Sequence, residues 1–411
     1  MVPVVGFTYP WIKQKPSIAP PAAKLSARFV SAQRAMSKYT AQRLVRKQIG
    51  EGTNRTAARK TEILELDSFR GYLAWMYESS YNHPEMPFHY SLFDKIINNC
   101  NPGIPPIHVP GVGEARLVVV DDRPLVSLFN DAPPNHMRDW WPMAQSDDVA
   151  RKLRRRIRWS GYVLPVLTAM ACALMSKIYS SPWSSGGRRF RLQYRSSPIT
   201  DFGISLGSAK AVAEDRLMFY SMKNKRFAML PQDPDQHYRL YFTTLKGEEI
   251  YFDGGAYTFN LARVVFVDAY IPPNAPHPIS PEMAPCHWEE REFRTNKMLD
   301  PDSLFHERTR VSVLRSEKLQ RVIERSDPQH VADADLAVFF TFMEEFSRKK
   351  LDVRDKILFD ILLGQHCKNL EGMLEKALYR DWPARPPEDI DLDPYSTSAL
   401  NDLTWGRDRN I

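Results

Sequence analysis

The chain has 411 residues, 43% of them hydrophobic and 11% aromatic, which is enough for one large core or two ordinary ones and too apolar for a disordered protein. Its net charge of +7 is unevenly spread: residues 1–60 hold twelve Lys or Arg and one acid, Glu51, a net +11, so residues 61–411 carry −4. The four scattered cysteines, Cys100, Cys172, Cys286 and Cys367, exclude a disulfide framework and a zinc ribbon, and they suit a reducing compartment.

Residues 1–23 hold five prolines and read as extended chain. Leu25, Phe29, Ala32, Met36 and Tyr39 then fall on one helical face, and the stripe is lost after Thr40. With Arg34, Lys38, Arg43, Arg46 and Lys47, residues 24–60 form a basic arm that suits a nucleic-acid contact or a mitochondrial presequence, beside the plainer reading of a solvated tail. No secretory signal is visible, because Pro3 and Pro10 interrupt the apolar start. The location expected is cytoplasmic, with the mitochondrial matrix as the alternative.

The spacing predicts a helix over 64–77, capped by Asp67 or Ser68, and a short helix beginning at Ser91. Residues 101–113 read as a loop, followed by strands over 117–120 and 125–129 about an Asp121–Pro124 turn. Trp159–Ser176 is eighteen residues without a charge behind a cluster of Lys and Arg, which is how a membrane anchor looks. Pro165 fits better as the first-turn residue of a buried helix, Val166–Ile178, so a core helix is expected and membrane association is not.

Arg189–Arg195 alternates, with Phe190, Leu192 and Tyr194 on one face, as in a half-buried antiparallel strand. Its polar face, with Arg189 and Arg191, is a candidate anion or nucleic-acid contact, weighed against an ordinary exposed strand face. Residues 238–244 and 249–252 flank Lys246-Gly247 as a hairpin, and 261–269 adds another strand. Residues 271–285 hold six prolines and read as an irregular excursion. From Ser316 onward the pattern is helical, and residues 381–411 read as an acidic, proline-containing tail.

Gly203-Ile204-Ser205-Leu206-Gly207 matches the nucleophile-elbow pattern, in which two glycines allow a sharp strand-to-helix turn that exposes the serine hydroxyl. Ser205 is therefore the candidate catalytic residue, against the simpler reading of a loop with Ser208 as a helix cap. Cys286-His287 and His366-Cys367 supply sulfur and nitrogen donors but no ligand spacing, so no metal is expected. No phosphate loop, dinucleotide fingerprint or HExxH is present, and no cofactor is expected.

The run Tyr238-Arg-Leu-Tyr-Phe-Thr-Thr-Leu-Lys-Gly-Glu-Glu-Ile-Tyr-Phe-Asp253, then Tyr257-Thr-Phe-Asn260 and Glu307-Arg-Thr-Arg-Val-Ser-Val-Leu-Arg315, resembles a C-terminal region of uncharacterised basidiomycete fungal proteins. Some of those also carry a MYND-type zinc finger, whose dense Cys and His ligands are absent here. The resemblance covers residues 150–325 and implies a fungal, intracellular protein of unknown activity.

Helices early and late with strands between them predict an α+β class: a basic arm over 1–60, one body over 61–380 and a tail over 381–411. The two oppositely charged ends could associate. The function expected is that of a non-enzymatic protein acting through protein-binding surfaces, with a serine hydrolase at Ser205 or a nucleic-acid-associated protein using residues 24–60 as alternatives. Nothing in the sequence indicates an oligomeric state.

Overall fold

The computed structural model describes residues 61–109, 112–123, 137–179, 189–228, 233–272, 283–292, 304–326, 331–391 and 393. The chain divides into two units, Met1–Ala58 and Arg59–Ile411, and the described residues all belong to the second. The expected second strand at 125–129 lies outside the described residues, as do Arg34, Lys38, Arg43, Arg46 and Lys47 of the arm.

The fold is α+β. In chain order its elements are β1 (Thr61–Glu65), α1 (Leu66–Tyr81), β2 (Lys95–Ile96), β3 (Ile107–Val109), β4 (Gly113–Asp121), α2 (Met137–Trp140), α3 (Asp147–Arg158) and α4 (Val163–Leu174). There follow β5 (Arg189–Tyr194), β6 (Ser197–Ala209), β7 (Leu217–Ser221), β8 (Arg226–Ala228), β9 (His237–Thr244), β10 (Glu248–Asp253), β11 (Arg263–Phe266), β12 (Met283–Pro285), β13 (His287–Glu292) and β14 (Phe305–Ser312). The chain closes with α5 (Glu317–Arg325), α6 (Asp333–Ser347), α7 (Val353–Glu375) and β15 (Glu388–Ile390).

The principal sheet has the order β1-β5-β6-β9-β10-β13, with β14 added to β6. Its pairs are antiparallel except β1 with β5. A second sheet gathers β2, β4, β7 and β8 with β3, and a third places β11 between β12 and β15.

Helix α4 is the centre of the main core. All twelve of its residues are buried, and it packs on α1, α7, β6 and β9. A helix apolar on every side belongs inside a protein or a membrane, and here protein surrounds it. Pro165 sits in its first turn, where an N–H would have no intrahelical partner. Thr168 Oγ1 donates back to Leu164 O at 2.7 Å, so the one hydroxyl in the helix is satisfied. Among the described residues no single helix is long and apolar enough to cross a membrane.

Several local expectations change. α1 starts at Leu66, and Glu65 at its N-cap makes no side-chain cap, so Asp67 and Ser68 lie inside the first turn. At Ser91 a single 3₁₀ turn, Tyr90–Leu92, replaces the expected helix, and Ile96 belongs to β2. The acidic tail is not wholly outside the body: β15 pairs with β11, and Asp393 is buried, so the body runs past residue 380. A three-residue strand is too short to leave a pattern in sequence.

Glu78, on the buried α1, yields a pH-dependent prediction. Burial drives its carboxyl up to about 7, against opposing help from the Asn82 amide and the Arg158 charge. Because the folded value lies above the unfolded one, the contribution of Glu78 is complete below about pH 4.5 and is lost as pH rises through about 7. Glu78→Gln should therefore gain on the wild type as pH rises from 5 to 8, by up to about 1.4 kcal/mol per pH unit. Urea unfolding at the two pH values checks this, and an unchanged difference would rule it out.

Candidate functional site

Strand alternation gives the principal sheet two chemically different faces. Phe202, Ile204, Leu240, Phe242, Ile250, Phe252 and Trp288 face the helical core. The other face carries Asp201 and Ser205 of β6, His237, Arg239 and Tyr241 of β9, Glu249, Tyr251 and Asp253 of β10, Glu289 and Arg291 of β13, and Glu307, Arg310 and Ser312 of β14. Cross-strand pairing then brings opposite charges together.

Arg310 reaches Glu307 at 2.5 Å and Glu249 at 2.6 Å, which hold its guanidinium charged against the effect of burial. Arg239 donates to Glu289 at 2.5 Å, and its guanidinium lies between the rings of Phe305 and Tyr251. Burial would raise the Glu289 carboxyl, but Arg239 and Arg291 hold it below its ordinary range. His237 Nε2 lies 2.7 Å from Asp253 Oδ2; burial would raise that carboxyl as well, and the imidazole and Arg239 keep it low. Tyr241 and Ser312 both donate to Asp201, at 3.2 and 2.5 Å.

Ser205 sits in the middle of this face. The Gly203–Gly207 motif lies within the thirteen-residue strand β6, with no turn and no helix at Ser208, which corrects both the elbow and the loop-and-cap expectations. Ser205 is 0% exposed, it is paired in register with Arg239 and Arg310, and its hydroxyl has no hydrogen-bond partner. A serine nucleophile needs a base within hydrogen-bond reach and an open approach. The His237–Asp253 dyad is opposite Gly207 instead, so among the described residues no His–Asp pair is in register with Ser205.

Arg191 is exposed on β5 but not free: its Nη1 donates to Ile178 O at 3.0 Å and its guanidinium stands over the Tyr179 ring. The Arg189 side chain is outside the described residues. His366 Nε2 is 3.0 Å from Ser80 Oγ, and burial pushes its imidazole down to about 3. Among the described residues no three metal-ligating side chains converge.

The open site lies elsewhere, at the end of the sheet. A groove of about 770 Å³ runs beside Ile63, Leu64 and Glu65 of β1, the first turn of α1, the β5–β6 turn at Arg195-Ser196, and the segment Tyr379–Arg385. Among the described strands β1 pairs only with β5, so no described strand covers its outer edge. Ile63 is 53% exposed on that strand, while Phe69 and Trp382 form an apolar floor with ring centroids 6.0 Å apart. The wall opposite β1 is fixed by Tyr379 and Arg380, which both bond Glu62. Arg195 and Arg385 line the groove against Asp67, whose carboxyl burial raises and Arg385 partly restores. Sequence reasoning missed this groove because its walls come from segments more than 100 residues apart.

No protein-family model, curated protein or solved structure matches the chain.

Proposed function

We propose that the protein is a non-catalytic, intracellular binding module that takes an extended protein segment along the outer edge of β1. The observation that carries this reading is a strand edge that no described strand pairs, with a half-exposed isoleucine, lying directly beside a preformed groove. An unpaired edge offers backbone donors and acceptors to an added strand, and the pockets next to it select side chains. The Ile63–Phe69–Trp382 surface suits one apolar side chain of the partner, and Arg195 with Arg385 suits an acidic one. Four buried, unbridged thiols agree with a reducing compartment.

Selection from a display library of random dodecapeptides tests the proposal. The peptides recovered should be extended, with an apolar residue and an acid in alternation. Ile63→Arg and Arg385→Glu should each weaken them at least tenfold. Both side chains are exposed, so the thermal midpoint should not move. Peptides that bind Ile63→Arg as tightly as the wild type would overturn the reading, as would a library that yields no binder.

A further inference from the structure

Helix α3 buries charge that a surface helix would keep in water. Val149, Leu153 and Ile157 face the core under the second sheet, while Lys152, Arg155 and Arg156 turn toward the Gly255–Phe259 turn and the C-terminal strap. Arg116 of β4 joins them. Arg116, Lys152 and Arg156 are each at most 3% exposed, and Arg155 is the more open group at the mouth, with a quarter of its side chain in solvent.

The strap that follows β15 inserts two carboxylates here. Asp391 Oδ2 accepts from Arg155 at 2.5 Å and from the Tyr257 hydroxyl, and the Asp391 carbonyl accepts from Lys152. Asp393 lies among the other three cations, 3.5 Å from Arg156, 3.7 Å from Arg116 and 3.8 Å from Lys152. Asp215 adds a carboxylate 3.9 Å from Arg156. Among the described residues, four cations therefore face three carboxylates, and two of those three belong to the strap.

The distances do not suit the carboxylate that is present. Charge-assisted hydrogen bonds to an ionised oxygen close to about 2.7–2.9 Å, and Asp393 reaches that length with none of its three cations. A phosphate group, with up to three free oxygens and a second negative charge, would offer each of these cations its own acceptor atom, where Asp393 shares two oxygens among three cations at 3.5–3.8 Å. Arg116 Nε, fully enclosed, is also left without a partner. With the strap withdrawn, four cations would face Asp215 alone, a balance that suits a dianion.

We propose that Arg116, Lys152, Arg155 and Arg156 form a site for a phosphate group, in which Asp391 and Asp393 stand in for the ligand. The strap competes from within the chain at high effective concentration, so a phosphate-bearing ligand must displace it. The three-residue β15, exposed along its length, pairs this stretch with β11 of the third sheet, and backbone bonds from Phe266 to Pro387 and from Asp391 to Ala262 flank it, with an Arg70–Glu388 ion pair beside them.

The test compares the full-length wild type with Asp391→Asn/Asp393→Asn, using inorganic phosphate, a phosphoserine peptide, and chloride at matched ionic strength. Phosphate should bind the neutralised variant at least tenfold more tightly than the wild type by calorimetry, and it should raise the variant's thermal midpoint where chloride does not. Adding Arg116→Met should remove both effects. Preference for inorganic phosphate would assign the site to a free anion, and preference for the peptide to a phosphorylated protein. If the double variant does not fold, Asp391→Asn alone, altered at the more open carboxylate, is read in the same way. Phosphate acting no differently from chloride would overturn the proposal and leave the strap a purely structural latch, as would a rescue that survives Arg116→Met.

Discussion

Asp393→Ala is expected to destabilise the protein by about 3–5 kcal/mol at pH 6, the usual cost of breaking a buried ion cluster from one side. Among the described residues, the Asp393 carboxylate alone forms ion pairs within 4 Å of all three of Arg116, Lys152 and Arg156, and its side chain is as enclosed as theirs. Removing it leaves buried positive charge whose solvation the fold no longer replaces. Arginines cannot escape by losing a proton, but Lys152 can. Burial already brings its amine down to about 8, with Asp393 and Asp391 opposing that fall.

The sign of the pH dependence follows. A lysine whose folded value lies below its unfolded one adds stability that is complete above about pH 10.5 and is lost as pH falls through the folded value. In Asp393→Ala that folded value drops further, so the deficit against wild type should be largest near pH 6 and smaller near pH 9. Guanidinium unfolding at the two values measures it. A loss below about 1 kcal/mol at pH 6, the range of an exposed pair, would mean that the cluster is solvated after all. Replacing Arg116, Lys152 and Asp393 together by apolar residues should cost much less, because no charge is then left unpaired.

The same residues show why part of this protein was legible in its sequence and part was not. Periodicity finds elements whose environment is uniform along their length. α4 is apolar throughout, Phe190, Leu192 and Tyr194 alternate on β5, and the Lys246-Gly247 turn joins β9 to β10. Lys152 and Arg156 defeat it: within a run of basic residues they look like a solvated or membrane-flanking face, yet partners from β4 and the strap, far off in the chain, bury them. The tail misleads in the complementary way. Its acids read as a solvated tail, yet two of them, Asp391 and Asp393, are engaged by α3 and β4. The candidate groove is unreadable for a further reason. Its floor joins Phe69 to Trp382 and its rim joins Ile63 to Arg195, and each of these residues alone is an ordinary core or surface residue.

Gly203→Ala is expected to be at least as damaging as Asp393→Ala, and it settles what the glycine–serine–glycine motif is for. A methyl group on Gly203 would fall 2.0 Å from the Val311 carbonyl oxygen and 2.8 Å from the Val313 nitrogen, and one on Gly207 would fall 2.0 Å from the His306 carbonyl oxygen. These obstacles are backbone atoms of β14 and its continuation, which cannot rotate away as a side chain would. β14 pairs edge to edge with β6 along this stretch, with a register shift between Glu307 and Thr309, and Ser205 opposite Arg310 is fully buried. Accommodating either methyl means parting β14 from β6, with loss of ladder hydrogen bonds and displacement of Arg310 from Glu249. A cost above about 4 kcal/mol, or failure to recover soluble protein, is the expected outcome. Gly372→Ala provides the contrast, since nothing lies within 4 Å of the added methyl in α7, and alanine there should stabilise by about 0.5–1 kcal/mol. The two glycines of the motif thus serve a close strand approach, where a nucleophile elbow would need them for a turn. If Gly203→Ala and Gly207→Ala both unfolded like wild type, β14 could not lie where it does, and the polar face around Ser205 would have to be open to solvent.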